Sequence, residues 1–365
     1  MSAVPDTPAP DRALPGLDDA LREIAAGAAA RDEDPRRQFP AGAFAALCRA
    51  GALAVNARPG PVRPPAAGEL EIVRRVAAAD GSVGRIFDGH LNAVERVAVQ
   101  APAALRDREL RAVLAGERLA GVWGGDPVPG EGPPAAVVAA SGGEVLRGVK
   151  TFCSGAGGLQ RAMVLARAPG GGPPLSVWVD LTDPGVEIDT AWYRSHGLVA
   201  SVSHRVVFHD VPVLARLGDP GGISAQPWFA RDALRTAASW AGMADTAVRS
   251  ALGLLARRPV RGDLEALAAG RVLTAQRTID VWLAAAAAAM DAPGDTLAAI
   301  ALHGRAAISD ACRTLLDEAA RACGSRPFAR ADELDRARRD LQVFLLQHRL
   351  DPMLARAGAA ALEEA

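Results

Sequence analysis

Lysine, tyrosine and aromatic residues are scarce in this chain of 365 residues: one lysine (Lys150), one tyrosine (Tyr193), and 4% Phe, Trp and Tyr together. Positive charge is therefore carried almost wholly by arginine. With 41 Lys and Arg against 42 Asp and Glu, the formal net charge is −1. Basic and acidic residues are interspersed, so the chain lacks the electrostatic footprint that nucleic acid or an anionic membrane would demand. Cysteine is also sparse. Cys48, Cys153, Cys312 and Cys323 are far apart, with no C-x-x-C and no Cys/His pairing at metal spacing. That pattern argues against a disulfide framework and a structural zinc, and for free thiols in a reducing compartment. Long apolar runs are missing as well: the most apolar, Val281 to Met290, is bounded by Asp280 and Asp291 and is too short to span a bilayer. Met1 to Pro15 is rich in Pro, Ala and Asp and has neither the basic nor the apolar region of a secretory signal. The expectation is a cytoplasmic globular protein that engages no membrane, nucleic acid or metal.

What is present is apolar content, 50% of the residues, enough for several packed layers. Residues 1–15 read as a disordered N-terminus. Residues 16–117 carry helical periodicity, with stops at Gly51, at the Pro-rich stretch Arg58 to Gly68 and at Asp80-Gly81-Ser82, and read as an α-helical domain. Residues 118–222 change to short alternating runs separated by Gly and Pro, among them Leu119 to Trp123, Ala135 to Ala140, Leu175 to Val179 and Ser203 to Phe208. This is the pattern of an antiparallel β-domain. Residues 223–365 return to long Ala/Leu/Arg helices near 232–256, 263–290, 295–323 and 332–360, a four-helix bundle. The fold class is α+β, mostly α.

The stretch that carries chemistry is Leu146-Arg147-Gly148-Val149-Lys150-Thr151-Phe152-Cys153-Ser154-Gly155, a strand ending in a glycine turn that places an aromatic, a thiol and a hydroxyl on a rigid edge. Cys153 alternates with Phe152 and Ser154 and should point inward as an apolar filler. Two further motifs follow: Cys323-Gly324-Ser325-Arg326 with Glu333-Leu334-Asp335-Arg336 and Arg338-Arg339-Asp340, and Gly197 through Phe208-His209-Asp210-Val211-Pro212-Val213. In this order and spacing the chain resembles the acyl-CoA dehydrogenase superfamily over roughly residues 15 to 360.

The resemblance implies a bound flavin, FAD with FMN as the alternative, between the β-domain and the C-terminal bundle. It places Phe152 beside the ring and Ser154 at flavin N5 or O4. A strand-end serine bonding its own turn is the plain structural alternative. Trp123-Gly124-Gly125-Asp126-Pro127 stands where the family carries a Thr-Glu-Pro loop against the flavin, with Gly125 at the threonine position. Gly324-Ser325 matches a turn that contacts the flavin of a neighbouring subunit, which implies a homodimer or homotetramer; a helix C-cap is the alternative for Gly324. Arg258 lies near the family's pyrophosphate arginine.

The family's dehydrogenases need a glutamate base, and both usual positions lack a carboxylate here: one falls on His348, in Gln347-His348-Arg349, and the other on Leu234 beside Arg235. A histidine near the C-terminus with a serine on the flavin strand is similar to the flavin-dependent monooxygenase branch, dibenzothiophene monooxygenase-like, in which imidazole handles a proton near neutrality. His348 and Ser154 are the catalytic candidates, and His90 is a substrate-cavity candidate. His196, His204, His209 and His303 show no ligand spacing and read as surface or turn residues. The expected function is a flavin-dependent oxidoreductase of monooxygenase type, acting on a small molecule or acyl thioester and drawing reduced flavin from a flavin reductase. The alternatives are an acyl-CoA or acyl-carrier dehydrogenase with another base, or a non-catalytic flavin-binding or scaffold homologue.

Overall fold

The computed structural model describes residues 14–259, 262–294, 296–330, 332–347 and 350–364. Most of the N-terminal stretch expected to be disordered lies outside these residues. The first helical layer comprises α1 (Leu17–Ala26), α2 (Ala28–Asp32), α3 (Ala41–Arg49), α4 (Ala66–Ala79), α5 (Gly81–Gln100) and α6 (Ala103–Leu114). Asp80 is extended and breaks α4 from α5, and its carboxylate caps α5 by accepting from the Val83 amide at 3.0 Å. Every residue of α5 from Gly81 to Ala98 is buried, so it is the central helix of the molecule. Gly84 permits this, because a Cβ there would stand 2.5 Å from the Ala77 Cα of α4.

The middle segment forms β1 (Ala120–Trp123), β2 (Ala136–Ala140), β3 (Gly143–Cys153), β4 (Arg161–Ala166), β5 (Leu175–Asp180), β6 (Val186–Asp189) and β7 (His204–Arg216). Their order is β1-β4-β5-β7-β3-β2, with β6 also paired to β7. β7 is the organising strand: its first half pairs with β3 and β6 and its second half with β5. The all-antiparallel expectation is corrected at one place, since β1 runs parallel to β4. Local alternation carries no information on a partner strand some forty residues away.

The second helical layer comprises α7 (Trp228–Ala256), α8 (Asp263–Asp291), α9 (Thr296–Cys323), α10 (Arg326–Ala329), α11 (Glu333–Leu345) and α12 (Asp351–Glu364). α7 packs on α4 and α9 and joins the two helical layers, and a Cβ at Gly242 would collide with the Arg74 carbonyl. The last helix is not continuous over 332–360 as its periodicity suggests. It ends at Leu345, and α12 restarts at Asp351 with Pro352 in its first turn, where a missing N–H is tolerated. Among the described residues no helix is long and apolar enough to cross a membrane.

Candidate active site

At the end of β3 the register with β7 shifts between Lys150 and Cys153, and the alternation of side chains is turned there. Cys153 points inward and is fully buried. Phe152 is held at φ +53° and is 60% exposed, on a strand whose neighbours are buried. A left-handed aromatic is costly, on the order of 1–3 kcal/mol, and such conformations persist where surrounding structure enforces them. The ring of Trp192 meets Phe152 edge to face with centroids 4.9 Å apart, and its Nε1 donates to Glu131 at 2.8 Å. The result is an exposed apolar platform that no core packing accounts for.

Beside it the Ser154 hydroxyl lies 2.8 Å from that of Ser203, and Ser203 lies 2.8 Å from the hydroxyl of Ser201. Trp123 is buried and donates its Nε1 to the Ser154 carbonyl at 3.1 Å, which ties β1 to this turn. The loop after β1 is fastened to β3 by the one lysine. Lys150 Nζ lies 2.7 Å from Asp126 Oδ1 and donates to the Gly124 carbonyl at 3.2 Å, and the Thr151 amide donates to Gly125 O at 3.0 Å. A Cβ on Gly125 would stand 2.6 Å from Thr151 O, so this approach is open to glycine. Trp123, Gly124, Gly125, Phe152 and Ser154 are therefore brought together as one edge.

Other expected site residues are placed elsewhere. His90 is fully buried; its Nδ1 accepts from the Ala120 amide at 3.1 Å and its Nε2 lies 3.0 Å from Leu53 O, to which it donates. Burial lowers its pKa to about 4, so it is neutral, and no ring nitrogen is left for a substrate. Instead of lining a cavity, His90 clasps α5 to β1. Arg258 Nη1 pairs with Glu265 at 2.8 Å and Nη2 donates to Ala322 O at 2.6 Å. Its partners are in the second helical layer rather than on the β3 edge. Gly324 adopts φ +73° just past α9, the left-handed cap position, and Ser325 opens α10 without a side-chain cap bond. His348 and Arg349 lie outside the described residues. His204, expected at the surface, is buried and stands edge-on to Tyr193.

The structure adds groups that sequence reasoning missed. Leu234 is in the core, and around Arg235 two carboxylates from other helices converge. Arg235 Nε bonds Glu69 of α4, and Nη2 lies 2.7 Å from Glu95 of α5. Arg231 bonds the same pair at 2.8 and 2.9 Å. Burial alone would raise the Glu69 pKa, but Arg235 and Arg231 hold it below the ordinary carboxylate value, so it is ionised and occupied. Asp88 of α5 differs: burial raises it to about 6 against the pull of Arg85 and Ser239. Asp340, at the end of the Arg-Asp motif, is raised to about 7 by burial while accepting from the Leu198 amide. Near Asp88, Arg305 of α9 stacks over the Trp240 ring at 5.2 Å, and its Nε and Nη2 have no hydrogen-bond partner among the described residues. No cluster of His, Cys, Asp and Glu able to hold a metal occurs among the described residues.

These features define a class: two helical layers joined through α7, and a mixed sheet set against α5 whose rim offers an aromatic platform, a hydroxyl and glycine backbone. No family model and no curated protein matches the chain. Solved structures do. TdsC, the dibenzothiophene monooxygenase of Paenibacillus sp. A11-2, in its FMN-bound form is 19% identical with TM-score 0.82, over 96% of this chain and 98% of that one. The methanesulfinate monooxygenase MsuC of Pseudomonas fluorescens is 22% identical with TM-score 0.78, over 97% of both chains. A probable acyl-CoA dehydrogenase of Mycobacterium abscessus is 20% identical with TM-score 0.76, over 91% of this chain and 92% of that one. The chain has the acyl-CoA dehydrogenase fold.

Proposed function

We propose that this protein is a flavin-dependent oxidoreductase of monooxygenase type. The observation that carries the reading is the exposed, conformationally strained Phe152 beside Trp192, contiguous with Ser154 and the Gly124-Gly125 loop. An aromatic platform with a hydroxyl at its edge and glycine backbone at its side matches the flat, partly polar isoalloxazine. Two proteins of like fold are monooxygenases by name, and one holds FMN. FMN and FAD both fit the reading, FAD drawing on Arg258 and the Gly324-Ser325 turn. When bound, the flavin would supply the redox chemistry. The protein's own part would be to stack the ring on Phe152, fix its edge at Ser154 and Gly124-Gly125, and handle a proton at His348.

A homodimer or homotetramer is supported by α8, which exposes Leu264, Leu267, Leu273 and Val281, and by α12, which has no buried residue. The four free cysteines support a reducing, cytoplasmic setting, with a flavin reductase as supplier of reduced flavin.

A second reading, a dehydrogenase of acyl thioesters, draws on Asp88, a buried carboxylate whose pKa of about 6 would suit a base. One experiment separates the two. Protein is mixed with reduced flavin and oxygen, and hydrogen peroxide release is followed; separately, oxidised flavin on the protein is exposed anaerobically to a series of acyl-CoAs. Retarded peroxide release, hastened by His348→Ala, supports the oxygenating reading. Bleaching by an acyl-CoA overturns it in favour of the dehydrogenase.

A further inference from the structure

Arg305 of α9 is 5% exposed, and two of its N–H groups, at Nε and Nη2, have no hydrogen-bond partner among the described residues. Burial lowers its pKa only to about 10, so the guanidinium keeps its charge at neutral pH while withdrawn from water. Its Cζ stands over the Trp240 ring at 5.2 Å, a face that attracts a cation but offers no lone pair to either N–H. The Trp240 Nε1 is buried and unpartnered too. Three donors on two side chains in contact therefore lack an acceptor among the described residues, where buried donors are normally satisfied. The carboxylate whose charge reaches Arg305 is that of Asp88, and both of its oxygens already accept: Oδ1 from Arg85 Nη1 at 3.0 Å and Oδ2 from the Ser239 hydroxyl at 3.2 Å. Arg85 is itself buried. Arg235, whose charge also reaches Asp88, is balanced by Glu69 and Glu95 together with Arg231. Two buried guanidinium groups thus stand against one carboxylate, and one positive charge is left over.

Which two N–H groups are open tells what would fill them. Nε and Nη2 lie on one side of the guanidinium with their N–H bonds parallel, the geometry that matches the two oxygens of a carboxylate. By this side Arg74 grips Asp245, at 2.6 and 2.7 Å, and Arg147 grips Asp210, at 2.9 Å for each bond. In Arg305 the same side is open. We propose that Arg305 anchors a buried ligand site that takes a small carboxylate, one oxygen on Nε–H and the other on Nη2–H, beside the Trp240 ring. The single negative charge of such a ligand equals the charge left over between Arg85, Asp88 and Arg305. A halide would meet the charge but could not place an acceptor in line with both parallel N–H bonds, and water would meet neither requirement in full. The site does not depend on the flavin reading.

The test is isothermal titration of the purified protein with sodium formate, acetate, butyrate and benzoate, with sodium chloride at matched ionic strength as the reference, and thermal melts of the same samples. At least one carboxylate should bind saturably, about tenfold or more tighter than chloride, and should raise the melting temperature. Arg305→Met should weaken that binding by about tenfold or more. Arg305→Lys keeps a positive charge but has no pair of parallel N–H bonds, and should also weaken it by about tenfold or more. Melts without added carboxylate check that both variants fold, and Arg305→Lys serves if Arg305→Met does not. Absence of saturable binding by all four carboxylates overturns the proposal, as does binding that both variants retain at full strength. Chloride bound as tightly as the best carboxylate, or full retention by Arg305→Lys, overturns the two-oxygen recognition on which the proposal rests.

Discussion

Replacing Arg235 by methionine removes a guanidinium that is fully buried between α4, α5 and α7. Arg235 bonds Glu69, lies 2.7 Å from Glu95, donates to Asn92 at 3.0 Å and lies 3.3 Å from Asp232. The variant would leave two fully buried carboxylates to share Arg231 alone. Breaking a buried pair from one side costs about 3–5 kcal/mol, because the remaining charge has lost both water and partner. The matched control is Arg305→Met. Arg305 is equally inside the molecule but has no carboxylate in contact among the described residues, and burial lowers its pKa to about 10. Its removal loses a stacking interaction worth about 0.5–2 kcal/mol and relieves a desolvation cost of similar size, so stability should change by about 1 kcal/mol or less. Urea unfolding followed by tryptophan fluorescence and near-ultraviolet circular dichroism at pH 7 measures both. If Arg235→Met costs under about 1 kcal/mol while Arg305→Met costs more than about 3 kcal/mol, the assignment of the Glu69, Glu95, Arg231 and Arg235 quartet as a structural clamp is wrong. Glu69 would then be available as a base, since its carboxylate would not be held by two arginines.

Three other outcomes are expected. Phe152→Gly should leave stability within about 1 kcal/mol of wild type, relief of the φ +53° conformation offsetting loss of the Trp192 contact. It should also weaken flavin binding at least about tenfold, read by thermal melts and flavin titration on the same preparations. Asp340→Asn should flatten the pH dependence of stability. Because the folded-state pKa is raised to about 7 from the ordinary 3.8, the native state binds the extra proton and wild-type stability falls as pH rises through that window. The variant should match wild type near pH 4 and exceed it by a few kcal/mol at pH 8; equal stability at both pH values would contradict the assignment. Gly125→Thr drives a Cβ against Thr151 O, and should cost about 1–3 kcal/mol in urea unfolding.

The β3 edge was legible because its cues are local: alternation ending in Ser154-Gly155, and a glycine pair after Trp123. The helical layers were legible from periodicity for the same reason. Pairing was less so, and the parallel contact of β1 with β4 depends on a partner remote in the chain. The break between α11 and α12 was missed because apolar periodicity runs on through Leu345 and Leu346, and Pro352 sits where a helix start tolerates it. Asp88, Glu69 and Glu95 look like ordinary surface acids in sequence; their burial is created by α7 crossing α4 and α5. The serine chain depends on the turn from Leu198 to Val202, where both of those residues adopt positive φ, a conformation no residue-type rule would assign to Leu and Val. Trp192 lies in an irregular segment with no period to read, and its contact with Phe152 exists through the fold alone.

Flavin stacking at Phe152 is tested most directly by an anaerobic titration of the purified protein with reduced FMN, read by quenching of tryptophan fluorescence. Saturable quenching that Phe152→Ala weakens by about tenfold or more is the predicted result. Binding that is equally tight in the Phe152→Ala protein, or no binding of FMN or FAD in either redox state, would contradict it.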